Sequence, residues 1–234
     1  SRRRKNHIFS LQTDTGTAID HEDKAAAAHL HFNNLLGSRI SRARTINWEE
    51  LHLSSVSNEG LDNPFTEAEV WAAIVASPVD KAPAPDSFSG IFFRSCWSLI
   101  KSDIMVVFHH FYHVAGGSFA DLNTAMIALI PKKDGTASMG DFRPISLVHS
   151  IGKLISKVLS MRLATVINKI ISPMQMAFQK NKCIHDSYLY VQNTIHHLHR
   201  CKTPALLMKL DIEKAFDTVL LDYLLELLRQ LGFS

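Results

Sequence analysis

Residues 206–211 form an apolar run that ends in an aspartate, and this run constrains the fold more than any other feature of the sequence. Its length is that of a buried strand, which would place Asp211 where the strand leaves its sheet. A carboxylate in that position suits Mg²⁺, which prefers hard oxygen ligands and links them to substrate phosphates. Asp217 follows six residues later and can face the same site. The alternative is that Asp211 caps the next element and Asp217 lies at the surface.

The composition is that of a soluble globular protein, with 46% hydrophobic and 20% charged residues. No apolar run approaches the roughly 20 residues of a membrane span, and no secretory signal opens the sequence. Three widely spaced cysteines indicate a reducing compartment. We therefore expect an intracellular protein, cytoplasmic or nuclear and not secreted, without a membrane partner. Its net charge of +3 is compatible with nucleic-acid binding.

The hydrophobic pattern predicts a mixed α and β fold, in which helices precede a strand pair and further helices precede the aspartate strand. Thr66 and Glu69 have the spacing of a capping box at the start of a helix. Asp86 or Ser87 is predicted to cap the helix that ends near Trp97. Helices are predicted over residues 21–36, 66–75, 87–97, 102–114, 151–171, 185–199 and 220–231, and strands over residues 124–131, 142–148 and 206–211.

Basic residues lie at the turn and on the returning strand of the predicted hairpin: Lys132, Lys133 and Arg143. Such residues can clamp an anionic ligand, and the planar fork of an arginine matches phosphate oxygens. The alternative is an ordinary solvated hairpin.

Taken together, these segments resemble the reverse transcriptase of LINE-type (non-LTR) retrotransposons. The resemblance runs in order over residues 63–233. Its most specific pieces are Ala-Leu-Ile-Pro-Lys-Lys at 128–133, Asp-Phe-Arg-Pro-Ile-Ser-Leu at 141–147, Ser-Pro-Met-Gln-Met-Ala-Phe at 172–178 and Lys-Leu-Asp-Ile-Glu-Lys-Ala-Phe-Asp at 209–217.

The resemblance implies an α+β fold that is part of a right-hand polymerase: helical fingers with a β-hairpin, then the first strand of the palm sheet. It implies a linker region over residues 1–60 that follows an upstream endonuclease domain, fingers over 61–200 and the start of the palm over 201–234. The implied partners are an RNA template, a DNA primer and deoxynucleoside triphosphates.

Residue roles also follow from the resemblance. Asp211 would be catalytic and would bind Mg²⁺ together with the backbone carbonyl of Ile212. Lys132 or Lys133, with Arg143, would contact the nucleotide triphosphate. Phe216 would screen the 2′ position of the nucleotide sugar.

The sequence departs from the family pattern in three places. Ala84 and Ser87 stand where the family has glycines, so the loop loses two positions that tolerate positive φ. Asn181 and Lys182 replace a common Gly-Arg pair. The 234 residues also hold no Asp-Asp pair, which forms the family's second catalytic block. We therefore expect a fragment of an RNA-directed DNA polymerase, truncated before that block and inactive alone. The alternatives are a non-catalytic RNA-binding module and an unstable fragment of a decayed element.

Overall fold

The computed structural model of the protein describes residues 7–13, 16–36, 45–53, 55, 60–79, 86–114, 120–212 and 219–233. Within these ranges, the chain forms helices and two small antiparallel sheets, which confirms the mixed α+β class. No helix in the described ranges is both long and apolar enough to cross a lipid bilayer. The elements are β1 (Leu11–Thr13), β2 (Gly16–Ala18), α1 (His21–Leu36), a 3₁₀ turn (Glu49–Leu51), α2 (Glu67–Ala76), α3 (Gly90–Ser95), α4 (Trp97–His113), α5 (Ala120–Asn123), β3 (Ala125–Pro131), a 3₁₀ turn (Met139–Asp141), β4 (Phe142–Val148), α6 (Ser150–Ile170), α7 (Ile184–Arg200) and α8 (Leu221–Gln230).

The chain divides into two compact units. The first comprises Ser1–Thr45 and Gly60–Arg162, and the second comprises Ile46–Glu59 and Leu163–Ser234. The boundary between the units falls within α6. These units do not test the domain limits expected from the family resemblance, which stay a prediction.

The main core of the first unit is built where α2, α4 and α6 bring their apolar sides together. Thr66 caps α2 as predicted: its hydroxyl accepts a hydrogen bond from the Glu69 amide, and the Glu69 carboxylate accepts one from the Thr66 amide. This box fixes where α2 begins. The buried side chains of this core are Phe65, Val70, Ala73, Ile74, Phe93, Ile104, Phe108, Leu154, Ile155 and Val158.

Arg162, on α6, fastens the start of α2 to that core. Its guanidinium donates two hydrogen bonds to the Glu69 carboxylate, at 2.8 and 3.0 Å. It also donates to the backbone carbonyls of Leu61 at 2.9 Å, Asn63 at 2.5 Å and Pro64 at 3.0 Å. The guanidinium carbon lies 4.4 Å from the centre of the Phe65 ring, and the Arg162 side chain is only 10% exposed. A single side chain therefore satisfies one carboxylate and three main-chain carbonyls.

Stability of the first unit should fall in acid because of Glu69. The hydrogen bond from Arg162 is the largest cause that lowers the pKa of Glu69, to about 2. A carboxylate whose folded pKa is depressed contributes stability above its unfolded pKa of about 4.5, and this stability is lost as the pH falls towards the folded value. We expect the unfolding midpoint in urea to fall between pH 4.5 and 2 by more in the parent protein than in Glu69→Gln. Parallel pH profiles of the two proteins would contradict this expectation.

A second core in the first unit joins the amino-terminal hairpin to the β3–β4 hairpin. Leu11, Ala18 and Phe32 pack with Met139 and Phe142. The isolated bridge between Gln12 and Ser138 and the hydrogen bond from the Gln12 amide to the Ala137 carbonyl run beside this core. Sequence patterns missed β1 and β2, because strands of three residues are too short to show an alternation.

In the second unit, the segment around the first 3₁₀ turn attaches to α8. The indole of Trp48 donates a hydrogen bond to Glu226 at 2.8 Å and stacks on Tyr223 at 5.6 Å between ring centres. This part of the predicted linker is therefore packed against a helix near the other end of the chain.

The predicted strand over residues 206–211 is wrong. These residues have no regular structure, and Leu206, Leu207 and Leu210 are 91%, 68% and 75% exposed. A strand is stable only when it pairs with a neighbour. No strand of the described residues pairs with this segment, so its apolar side chains remain in solvent.

Candidate nucleotide-binding hairpin and aspartate segment

The β3–β4 hairpin presents two different faces. Its strands pair antiparallel, with Leu129 opposite Pro144 and Ile130 opposite Arg143. Leu129 packs in the second core. Because side chains alternate between the faces of a sheet, Arg143 and Ile130 lie on the opposite face. Arg143 is exposed there and Ile145 is 42% exposed, so this face offers a cation beside apolar side chains.

The two lysines of the hairpin turn differ in their surroundings. The Lys132 ammonium donates a hydrogen bond to the Gly140 carbonyl at 2.7 Å, and its amide donates to the Asp141 carbonyl at 2.8 Å. Lys133 is exposed. Lys132 thus helps to close the turn, whereas Lys133 and Arg143 are open to a ligand.

Asp86 holds the start of α6, which follows β4 directly. Its carboxylate accepts hydrogen bonds from the Ser150 amide at 2.6 Å and the Ser150 hydroxyl at 3.0 Å. Burial raises the pKa of Asp86, but the hydrogen bonds from Ser150 and Phe88 and the nearby His149 together outweigh burial and lower it. Asp86 therefore fixes where the returning strand passes into α6.

The predicted cap of the helix after this loop is wrong. Ser89, rather than Asp86 or Ser87, is the N-cap of α3, and its hydroxyl accepts a hydrogen bond from the Phe92 amide at 3.5 Å. Asp86 is used instead by a helix that begins 64 residues further along the chain. A local sequence pattern carries no signal for such a distant cap.

Two positions where the resembling family has glycine keep a glycine-like backbone. Ser87 has φ +59° and Asn181 has φ +65°. Asparagine enters this left-handed region more easily than most residues, whereas serine is strained there. The expected strain in the loop is thus present at Ser87. Ala84 lies outside the described residues.

The predicted metal ligands lie on the irregular segment of the second unit. Asp211 and Ile212 are both exposed, and Ile212 is 71% exposed. Phe216 and Asp217 lie outside the described residues. Within the described part of the chain, no group of three or more His, Cys, Asp or Glu side chains is arranged to hold a metal ion. The hairpin cations belong to the first unit and Asp211 to the second, so the roles predicted for these residues stay predictions.

Comparison with known protein families finds a match in the carboxyl-terminal part of the chain. Residues 130–234 match the family described as "Reverse transcriptase (RNA-dependent DNA polymerase)". This range contains Lys132, Lys133 and Arg143 as well as Asp211.

Two curated relatives extend the comparison towards the amino terminus. The chain is 28% identical over 188 residues to the "Transposon TX1 uncharacterized 149 kDa protein" of Xenopus laevis, covering 80% of this chain and 14% of the relative. It is 27% identical over 173 residues to the "Retrovirus-related Pol polyprotein from type-2 retrotransposable element R2DM" of Drosophila melanogaster, covering 71% of this chain and 16% of the relative. The chain thus spans about one-seventh of the length of these relatives. Residues 130–234 match the reverse transcriptase family, and the resemblance of the chain to LINE-type (non-LTR) reverse transcriptases is confirmed.

Proposed function

We propose that this chain is part of an RNA-directed DNA polymerase that copies a retrotransposon RNA. The observation that carries the proposal is the family match over residues 130–234, a range that contains the basic residues of the hairpin and the aspartate segment. Residues 61–200 supply the fingers of a right-hand polymerase and residues 201–234 begin its palm. The region over residues 1–60 joins the polymerase to an upstream endonuclease domain, and the protein works inside the cell.

The substrates are an RNA template, a DNA primer and deoxynucleoside triphosphates. Arg143 and Lys133 contact the triphosphate, since both are exposed and an arginine fork matches phosphate oxygens. Lys132 supports the turn through its bond to Gly140. The apolar surface beside Arg143, with Ile145, suits the flat face of a base or sugar.

The Asp211 carboxylate and the Ile212 carbonyl are ligands for Mg²⁺, and Phe216 screens the nucleotide sugar. Both ligand atoms are hard oxygens, the type of ligand that Mg²⁺ prefers. They do not form a complete site by themselves, because a two-metal centre needs further carboxylates. When bound, Mg²⁺ neutralises charge on the phosphates of the nucleotide.

The proposal is tested by binding of a labelled RNA–DNA template–primer to the 234-residue chain, measured by fluorescence anisotropy over a salt series. We expect affinity to fall steeply with salt. Arg143→Gln should weaken the complex formed in the presence of a matching deoxynucleoside triphosphate about fivefold, because one phosphate contact is lost. Arg200→Gln, an exposed arginine at the end of α7, is the control with the same charge loss. Absence of template–primer binding at low salt would contradict the proposed function.

Primer extension distinguishes binding from catalysis in the same samples. We expect the 234 residues by themselves not to extend the primer with Mg²⁺ or Mn²⁺, since they hold no Asp-Asp block. Extension that disappears in Asp211→Ala would overturn the expected inactivity and assign Asp211 to catalysis.

A further inference from the structure

A cavity of about 260 Å³ lies in the first unit, between the end of α2, the start of α3 and one side of α6. Its floor is apolar and buried: Ile74, Phe93 and Leu154 are 2%, 8% and 6% exposed. Ligand sites for drug-sized molecules measure about 300–1,000 Å³. This cavity is therefore sized for a smaller group, such as one base with its sugar.

Two lysines stand at the rim of the cavity. Lys153 and Lys157 are four residues apart on α6, so they project from the same side of the helix. Among the residues that the structure describes, no aspartate or glutamate lines the cavity. The Asp86 carboxylate, which accepts hydrogen bonds from the lining residue Ser150, is not itself a lining group. The rim is therefore positively charged and suits an anionic ligand.

An aromatic ring lies beside these cations. Phe88 lines the cavity, stacks on Phe92 at 4.5 Å between ring centres and is 46% exposed. A half-exposed ring next to lysines is the combination on which single-stranded nucleic acids stack their bases.

The polar groups of the wall are already engaged. The Ser77 hydroxyl donates to the Ala73 carbonyl, and the Ser89 hydroxyl accepts from the Phe92 amide. The Ser150 hydroxyl lies 3.0 Å from both an Asp86 oxygen and the Phe88 carbonyl. The hydroxyl hydrogens of Ser77 and Ser150 are thus donated within the protein, and recognition here rests mainly on stacking and charge, which tolerate any base.

We propose that this cavity binds one nucleotide of single-stranded RNA, with its base against Phe88 and its flanking phosphates on Lys153 and Lys157. The inference rests on the proposed function and adds an RNA contact that is separate from the β3–β4 hairpin. It concerns three residues for which neither the family resemblance nor the sequence pattern assigned a role.

The test measures binding of a short labelled oligouridylate to the 234-residue chain by fluorescence anisotropy. The double variant Lys153→Gln, Lys157→Gln should bind at least about fivefold more weakly, and the slope of log K against log salt should shrink by about 1.4, at roughly 0.7 for each phosphate contact. Lys169→Gln, Lys180→Gln removes the same charge from exposed positions and should bind like the parent. Phe88→Leu should weaken oligouridylate binding roughly fivefold or more and leave an abasic strand of equal length unaffected.

Each outcome decides the inference. Parent-like affinity in the lysine or Phe88 variants, while the parent chain binds RNA, would overturn this site and leave the proposed function intact. Displacement of the oligouridylate by poly-glutamate as readily as by RNA would also overturn it, because charge alone would then explain binding. If the parent chain bound no RNA, both proposals would fail. Thermal melting of each variant shows whether the first unit remains folded.

Discussion

Replacing Arg162 with alanine should lower the free energy of unfolding of the first unit by about 2–3 kcal/mol, below the about 3–5 kcal/mol for removing one partner of a fully buried ion pair, because the Glu69 side chain is 36% exposed. The guanidinium makes two hydrogen bonds to Glu69 and three to main-chain carbonyls, with only 10% of its side chain exposed. Without it, Glu69 and the three carbonyls lose their partner together. Urea unfolding, followed by tryptophan fluorescence, measures the change.

Lys101→Ala is the matched control for this prediction. Lys101, on α4, pairs with Glu67, which lies on α2 like Glu69. The side chains of Lys101 and Glu67 are 44% and 51% exposed. An exposed pair contributes about 0–1 kcal/mol. Arg162→Lys keeps the charge and loses the fork, so it should fall between the parent and Arg162→Ala. If Arg162→Ala lowered the free energy of unfolding no more than Lys101→Ala, the contacts of Arg162 with Glu69 and the three carbonyls would not stabilise the first unit.

Substituting Gly90 with alanine should destabilise the first unit by about 1–3 kcal/mol, the usual cost of forcing extra atoms into a packed site. A Cβ built at Gly90 lies 2.6 Å from the Pro78 carbonyl oxygen and 3.3 Å from the Val79 Cα. Both atoms are main chain and cannot rotate away. The start of α3 must therefore move away from Pro78 and Val79, which follow the end of α2.

Gly140→Ala provides the comparison for Gly90→Ala. A Cβ at Gly140 meets nothing closer than the Ser138 hydroxyl at 4.0 Å. This change should leave the urea midpoint within the error of measurement or raise it slightly, since alanine restricts the unfolded chain. Equal urea midpoints for the two alanine variants would show that the backbone at Pro78 moves aside without lowering the stability of the first unit.

Local signals predicted much of the fold. The predicted range of α1 is the observed one, and β4 was predicted at the residues where it occurs. The Thr66 and Glu69 spacing predicted the capping box, because both groups lie within one helical turn. Helices α6, α7 and α8 begin and end within a residue of the predicted limits. In these elements the residues that form the local sequence pattern also make the interactions that stabilise the element.

Features that depend on distant residues could not be predicted in the same way. Asp86 has the residue type of a helix cap, but no pattern in its neighbourhood indicates that α6 is the helix it caps. Arg162 belongs to an ordinary amphipathic helix, and nothing beside it in the sequence marks its contacts with residues 61–64. The run over residues 206–211 has the composition of a strand, yet composition does not supply a strand with which it can pair.

The family resemblance predicted the candidate site in a different sense. It named Asp211, Arg143 and the lysines through motifs, and the structure shows Arg143 and Lys133 exposed while Lys132 is engaged in its own turn. The cavity below Phe88 was missed, because its lining comes from three separated segments. Lys153 and Lys157, four residues apart on α6, carry no local signal that distinguishes them from other lysines of an amphipathic helix.

The separation of Arg162 from the residues it clamps has a consequence for biosynthesis. Glu69 and Arg162 are 93 residues apart in the sequence. At a translation rate of about 5–20 residues per second, roughly 5 to 20 seconds pass between the synthesis of these two residues. During that interval α2 relies on its capping box and on Arg94, which donates to the carbonyls of Val75 and Ser77. A nascent chain that stalls before α6 is made therefore lacks Leu154, Ile155 and Val158, with which Val70 and Ile74 share the buried core.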